Sequence, residues 1–282
     1  MKSRKLLYQI ILIVIVLKSS ACTEVIPIEF PDHQPRLVIN SIAETGMPWE
    51  MQVSVSKSLN DDIFYHLPNN ANVELFKGGE LVEKLQHAEL GMYRSIETKP
   101  EPEQEYSILV SVPGYEPCSA SFIMPSIPEL HNPIFRSIDF HEHHTTEFRV
   151  TIEDIAATED FYFVRVYHRD EHYDIIRYDS DLKFYDPVAQ EHGLKGDIIF
   201  PDLFFNGKNF ELAFSFFTVP GLEYFIEIGK HTDDYYQYVK TYNFNINIDE
   251  AVFSERKKVH NNIINGFGIF AGYSSQVFIY KP

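Results

Sequence analysis

The chain has 282 residues, of which 44% are hydrophobic and 15% aromatic; this suits one large or two ordinary globular domains and excludes a disordered chain. The formal net charge of -17 argues against a nucleic-acid partner, because phosphates repel an acidic surface. Two cysteines, Cys22 and Cys118, leave no room for a disulfide framework once one of them is modified.

Lys2, Arg4 and Lys5 precede an apolar run from Leu6 to Leu17, and Lys18-Ser19-Ser20-Ala21 lead to Cys22. A basic start, a short apolar stretch and small residues before a cut site are the parts of a secretory leader, here residues 1–21. A membrane-spanning helix takes about 20 apolar residues, so this run is short for an anchor. Cys22 directly after Ser-Ser-Ala resembles a lipobox, with Ser19 where leucine is usual. That resemblance implies that the Cys22 thiol accepts a diacylglyceryl group, and that the mature chain begins there with several acyl chains, enough for stable anchoring. An ordinary leader, with Cys22 incidental, is the alternative. Removing residues 1–21, which hold four basic residues and no acid, takes the net charge from -17 to -21. Residues 22–35 contain Pro27, Pro31 and Pro35 and read as an extended tether.

From Arg36 onward the pattern is strand after strand. Arg36–Ile42 is β-rich, and Met51, Val53 and Val55 alternate with polar neighbours, the period of a half-buried strand. Asn72–Phe76 and Leu81–Leu85 flank Lys77-Gly78-Gly79-Glu80, the chemistry of a tight hairpin. Met92–Ile96, Glu105–Val112 and Cys118–Met124 follow. Short strands at this spacing predict a β-sandwich over residues 36–125. Pro125-Ser126-Ile127-Pro128 resists helix and ladder alike and is a plausible boundary, with a second β-rich domain over 129–282. Strands are predicted there at Glu147–Ile152, Phe161–His168, Phe210–Phe217, Leu222–Ile228 and Gln276–Tyr280.

One helix stands out. Thr232-Asp233-Asp234 form an N-cap with acids in the first turn, and Tyr235, Tyr238 and Tyr242 recur on one face. Such a stripe packs on a sheet or, alternatively, forms an aromatic platform for flat ligands. Gly266 and Gly268 lie among aromatics without the third glycine or following helix of a dinucleotide loop; they suggest a bent strand or tight turns.

Chemistry-bearing motifs are sparse. His141-Glu142-His143-His144 has ligand types but no H-E-x-x-H spacing and reads as a polar loop. Asp174, Asp179, Asp181 and Asp186 lack the glycine and closing glutamate of an EF-hand and read as surface turns. Cys118 reads as a small, partly buried residue. No nucleophile elbow, phosphate loop or Cys-x-x-Cys is present. No catalytic, cofactor-binding or metal-ligating residue is therefore nominated; the single nominated site is Cys22, for lipidation.

The Cys22 start with its acidic, proline-bearing tether, Pro35–Asn40, Ala71–Phe76 with its Gly-Gly hairpin, Tyr106–Tyr115, Tyr235–Tyr238 and, most specific, Asn262–Phe270 form a set. Together these segments resemble the Bacteroidota lipoproteins of domain-of-unknown-function family 4249. The resemblance covers nearly the whole chain. It implies a lipid-anchored outer-membrane protein without established activity, often associated with a TonB-dependent transporter, and an N-terminal sandwich of immunoglobulin or transthyretin-like type. The expectation is thus a mainly β protein, its N-terminal sandwich followed by a second β-rich domain with one or two short helices. Its expected role is a non-catalytic binding or accessory component without cofactor. A polysaccharide hydrolase and a structural or adhesive envelope protein are the alternatives.

Overall fold

The computed structural model of the protein describes residues 33–58, 65–140, 143–155, 158–170, 175–179, 182–185, 191–192, 196–246 and 257–282. The leader, Cys22 and the tether up to residue 32 lie outside them. The protein is mainly β.

Side-chain alternation builds the first half. Strand β1 (Leu37–Glu44) alternates buried and half-buried positions throughout, and β2 (Glu50–Val55) turns Met51, Val53 and Val55 inward. Strands β3 (Asn72–Lys77) and β4 (Glu80–His87) meet at a hairpin where Gly78 and Gly79 take φ of 57° and 84°. A type I′ turn requires both to be positive. Strands β5 (Met92–Arg94), β6 (Glu105–Ser111) and β7 (Cys118–Ile123) follow. Strand β4 pairs with β3 through Leu85, then with β5 through Gln86 and His87. It thereby turns the corner between two layers, β1-β2-β5 and β4-β3-β6-β7. Leu37, Ile39, Trp49, Val53, Leu75 and Tyr106 fill the space between them, giving a sandwich core. Trp49, the one tryptophan, meets Tyr106 edge-on at 5.0 Å and stacks on Phe270 at 5.6 Å between ring centroids.

The second half contains β8 (Glu129–Phe140), β9 (His143–Glu153), β10 (Phe161–Asp170), β11 (Ile175–Asp179), β12 (Lys183–Phe184) and β13 (Glu191–His192). After them come β14 (Ile198–Pro201), β15 (Asn209–Phe217), β16 (Tyr224–His231), helix α1 (Asp233–Ile246) and β17 (Phe267–Tyr280). A four-stranded sheet, β12-β15-β9-β8, packs on the β14-β10-β16-β17 sheet through a core that includes Phe148, Tyr162, Val164, Phe214 and Ile226. Helix α1 covers the other face, setting Tyr235, Tyr236 and Val239 against Phe161, Phe163 and Ile269.

Two segments differ from expectation. Strand β8 is not predicted, because Asn132-Pro133 interrupts its pattern. The structure accommodates Pro133 at a register shift between His131 and Ile134, on an edge strand where a missing N–H is tolerated. Strand β9 starts at His143, so the expected polar loop before Glu147 is in part strand; residues 141 and 142 lie outside the described residues.

Strand β17 joins the halves. It pairs in parallel with β1 from Phe267 to Tyr273, and antiparallel with β16 from Tyr273 to Tyr280. At Gly268, φ is 113°, and an added methyl would overlap the carbonyl oxygen of Ile39, its register partner. The proline segment is pinned to the same strand: Ser274 Oγ donates to Pro125 O and Gln276 Nε2 to Pro128 O, both at 2.6 Å. Residues 34–282 form one compact unit.

Candidate functional site

Among the described residues, largely buried ionisable side chains gather at two places in the second half. The first lies on the face of the large sheet that α1 covers. Arg165 on β10 sits opposite Glu227 on β16, and its guanidinium donates to the Glu227 carboxylate at 2.8 Å. Asp197, just before β14, lies 3.5 Å from the same guanidinium and 3.2 Å from His231 Nε2. Ser275 Oγ donates to Glu227 at 2.8 Å. Arg165, Asp197, Glu227 and His231 are at most 4% exposed.

Burial is the largest influence on Arg165, Asp197 and His231. It pushes the His231 imidazole below its ordinary value, outweighing Asp197, so the ring is neutral at pH 7. With Nε2–H donating to Asp197, Nδ1 keeps its lone pair, and that atom has no hydrogen-bond partner. Burial raises Asp197, but the His231 hydrogen bond and the Arg165 charge outweigh it and hold the carboxyl at about 2. Burial opposes the Arg165 charge, and Glu227 and Asp197 more than restore it. A carboxylate–imidazole pair beside a guanidinium has the parts of proton-transfer chemistry. Here all four side chains are buried, and they tie together β10, β14 and β16.

The second cluster lies at one end of the C-terminal sandwich. Asp154 follows β9, Asp160 precedes β10 and Asp202 follows β14, so three strand ends bring three carboxylates together. One oxygen from each lies within 4.8 Å of the others. Tyr162 OH and Gly207 N donate to the two Asp154 oxygens, both at 2.7 Å. Lys230 Nζ, itself 3% exposed, donates to Asp160 Oδ2 at 2.7 Å. Burial, with the charges of Asp154, Asp160 and Glu159, pushes the Asp202 carboxyl above its ordinary value. Ile155, Leu203 and Phe204, on the same pair of loops, are 53%, 70% and 67% exposed.

A surface groove of about 570 Å³ runs along β1 and β2, lined by Asn40, Gln52, Ser54, Ser56, Tyr65 and Leu67.

Of the residues singled out in the sequence, Cys22, His141, Glu142, Asp174, Asp181 and Asp186 lie outside the described residues, as do the side chains of His143 and Asp179. Cys118 is buried, and burial pushes its thiol up to about 11, which leaves it protonated and inert. The tyrosine stripe divides: Tyr235 is core, while Tyr242 is 37% exposed and stacks on Tyr238 at 6.1 Å. The Thr232 backbone carbonyl accepts from Tyr235 and Tyr236, but its hydroxyl has no partner, so the expected side-chain cap is not made. Asn262, in the family-specific block, brackets Phe270: Nδ2 donates to its carbonyl at 2.7 Å and Oδ1 accepts its N–H at 2.9 Å. That block is thus a clamp for β17. Sequence reading missed both acidic clusters, because their members are single acids on different strands and loops, with no motif to join them.

The fold and these clusters define a mainly β protein whose buried ionic groups fasten strands and whose exposed loops and strand faces remain open for contact. The chain belongs to the family described as Domain of unknown function (DUF4249), whose profile matches residues 23–278. No curated protein matches it. Among solved structures, three N-terminal domains of the Highly Immunogenic Outer Capsid protein (Hoc) of bacteriophage RB49 are similar, at 10% identity and a TM-score of 0.26. That match covers 86% of this chain and 68% of the phage chain, and at this TM-score it carries no argument. No helix among the described residues is long and apolar enough to cross a membrane.

Proposed function

We propose that this protein is a lipid-anchored outer-membrane protein, acylated at Cys22, that acts as a non-catalytic binding or accessory component of a TonB-dependent transporter. The observation that carries the reading is the order of residues 1–22: basic start, apolar run, Ser-Ser-Ala, cysteine. Two structural features support the binding role. The groups best suited to chemistry, Asp197, His231, Arg165 and Glu227, are engaged with one another inside the core. Exposed apolar side chains stand together on the loops carrying Ile155, Leu203 and Phe204, and such residues mark contact surfaces.

The test has two parts. Intact mass is measured on protein extracted from its native membrane, beside a Cys22→Ala variant. A chain that starts at Cys22 with acyl mass, lost in the variant, is expected; an unmodified mature chain removes the anchor. Affinity purification in mild detergent then reads the partner. Recovery of a transporter that depends on Leu203 and Phe204 is expected, and recovery of the lipoprotein alone defeats the accessory role.

A further inference from the structure

We infer that Asp154, Asp160 and Asp202 form a binding site for a hard divalent cation, calcium by preference, that ties the loop between β9 and β10 to the loop after β14.

The fit begins with geometry. Two oxygens bound to one calcium ion at about 2.4 Å each can stand at most about 4.8 Å apart. The three carboxylate oxygens here meet that limit pairwise. The donors are all oxygen, with no imidazole or thiolate among them, which favours calcium or magnesium over zinc or copper. Magnesium demands a near-ideal octahedron and keeps most of its waters, whereas calcium accepts an irregular set of carboxylates, so calcium is the better fit.

A second observation points to the ligand independently. Asp202 is 1% exposed; its Oδ2 accepts the Asp160 N–H at 3.0 Å, and its Oδ1 is buried with no hydrogen-bond partner. An orphaned carboxylate oxygen deep in a protein is costly unless something positive meets it. Lys230 Nζ is the cation at hand, but it is committed to Asp160 at 2.7 Å and to Ser126 Oγ at 3.3 Å, and lies over the Tyr162 ring at 5.4 Å. Three carboxylates against one ammonium leave two negative charges, the charge a divalent cation cancels.

The surroundings are those of a constructed site. Tyr162 OH and Gly207 N orient Asp154, Thr158 Oγ1 reaches Asp160 Oδ2 at 3.3 Å, and Asn206 Nδ2 donates to Thr158 O at 3.3 Å, linking the two loops. The group Glu129, His131 and Glu153 also clusters, but there His131 and Glu153 pair with each other at 2.9 Å and all three residues are exposed to water.

The experiment uses the full chain in detergent, stripped with a chelator. Calcium is titrated against the melting temperature, and terbium luminescence excited through tyrosine is followed in parallel, Tyr162 lying against Asp154. Expected are a rise in melting temperature with a dissociation constant of about 10⁻⁴–10⁻³ M, the range of extracellular modules, sensitised terbium emission displaced by calcium, and a loss of affinity of about tenfold or more in Asp202→Asn and Asp154→Asn, with Glu129→Gln unchanged. If the variants do not fold, the anomalous signal of terbium in crystals of the unaltered protein decides: a peak among the three carboxylates supports the site. No response to calcium or terbium, an equal response in the variants, or a terbium peak elsewhere would overturn it.

Discussion

Tyr273 donates its hydroxyl to Glu44 at 2.6 Å at the register position where β17 passes from pairing with β1 to pairing with β16. One hydrogen bond thus fastens the strand where the two halves of the protein share it. Tyr273 is 2% exposed and packs against Phe163 and His231, so its ring belongs to the core of the second half while its hydroxyl reaches the first. Tyr273→Phe keeps the ring and removes the bond. Its expected cost is about 1.5–3 kcal/mol, as for a hydrogen bond to a charged group, read from urea denaturation. Glu44→Gln in the same background should add little, and full additivity of the two would refute the pairing.

Because β17 is common to both cores, the halves should unfold together. Trp49 is the single tryptophan and reports only the first core; far-ultraviolet circular dichroism reports both. The two probes are expected to give coincident urea midpoints. Separate transitions would show that the shared strand does not couple the halves.

Arg165 is the counter-ion of two buried carboxylates. Arg165→Met leaves Glu227 and Asp197 in the core without it, at an expected cost of about 3–5 kcal/mol. Replacing Glu227 with Gln in the same protein should recover part of that loss. A cost below about 1 kcal/mol for Arg165→Met, measured by chemical denaturation, would show that the network does not hold the sheet.

Acidification should weaken the fold in two stages with the same sign. The folded His231 resists protonation because it is buried, while the unfolded imidazole takes up a proton near its ordinary value of 6.5. The unfolded state then binds more protons, so stability falls as pH drops below about 6.5. Asp197 is held at about 2 against its ordinary 3.8, so its share of stability is complete above about 4 and is lost between about 4 and 2. Urea midpoints taken across this range should show both declines. His231→Gln should remove the upper one, and an unchanged upper decline in that variant would assign it to another histidine.

Gly268→Ala should fail to yield folded protein, because its methyl would strike the Ile39 carbonyl and its φ of 113° is closed to alanine. Gly79→Ala, at φ 84° with open space around it, should cost about 1–2 kcal/mol and still fold. Yield and melting temperature of the two variants separate close approach from conformational strain.

Much of the first sandwich was legible in the chain. Met51, Val53 and Val55 alternate because every second residue of a half-buried strand meets the core, and Gly78-Gly79 announce the hairpin because L-residues avoid both turn positions. Helix α1 was legible for the matching reason, since its tyrosines recur at helical spacing. Strand β8 was not, because Pro133 and Asn132 break the local pattern and only a neighbouring strand makes a bulge there acceptable. The glycine-rich start of β17 suggests a bent strand or tight turns; nothing local shows the strand in which Gly268 must admit Ile39 and Gly272 must admit Phe122 and Met124. Both carboxylate clusters escaped notice for the same cause. Arg165, Asp197 and Glu227 become neighbours through strand pairing, and Asp154 joins Asp160 and Asp202 because one sheet packs on the other. The sequence by itself determined the mainly β class, most strand positions and the family, because these follow from local periodicity and short motifs. Tertiary structure alone decided which charges are buried together and that β17 serves both halves, because those depend on contacts between residues tens to hundreds of positions apart.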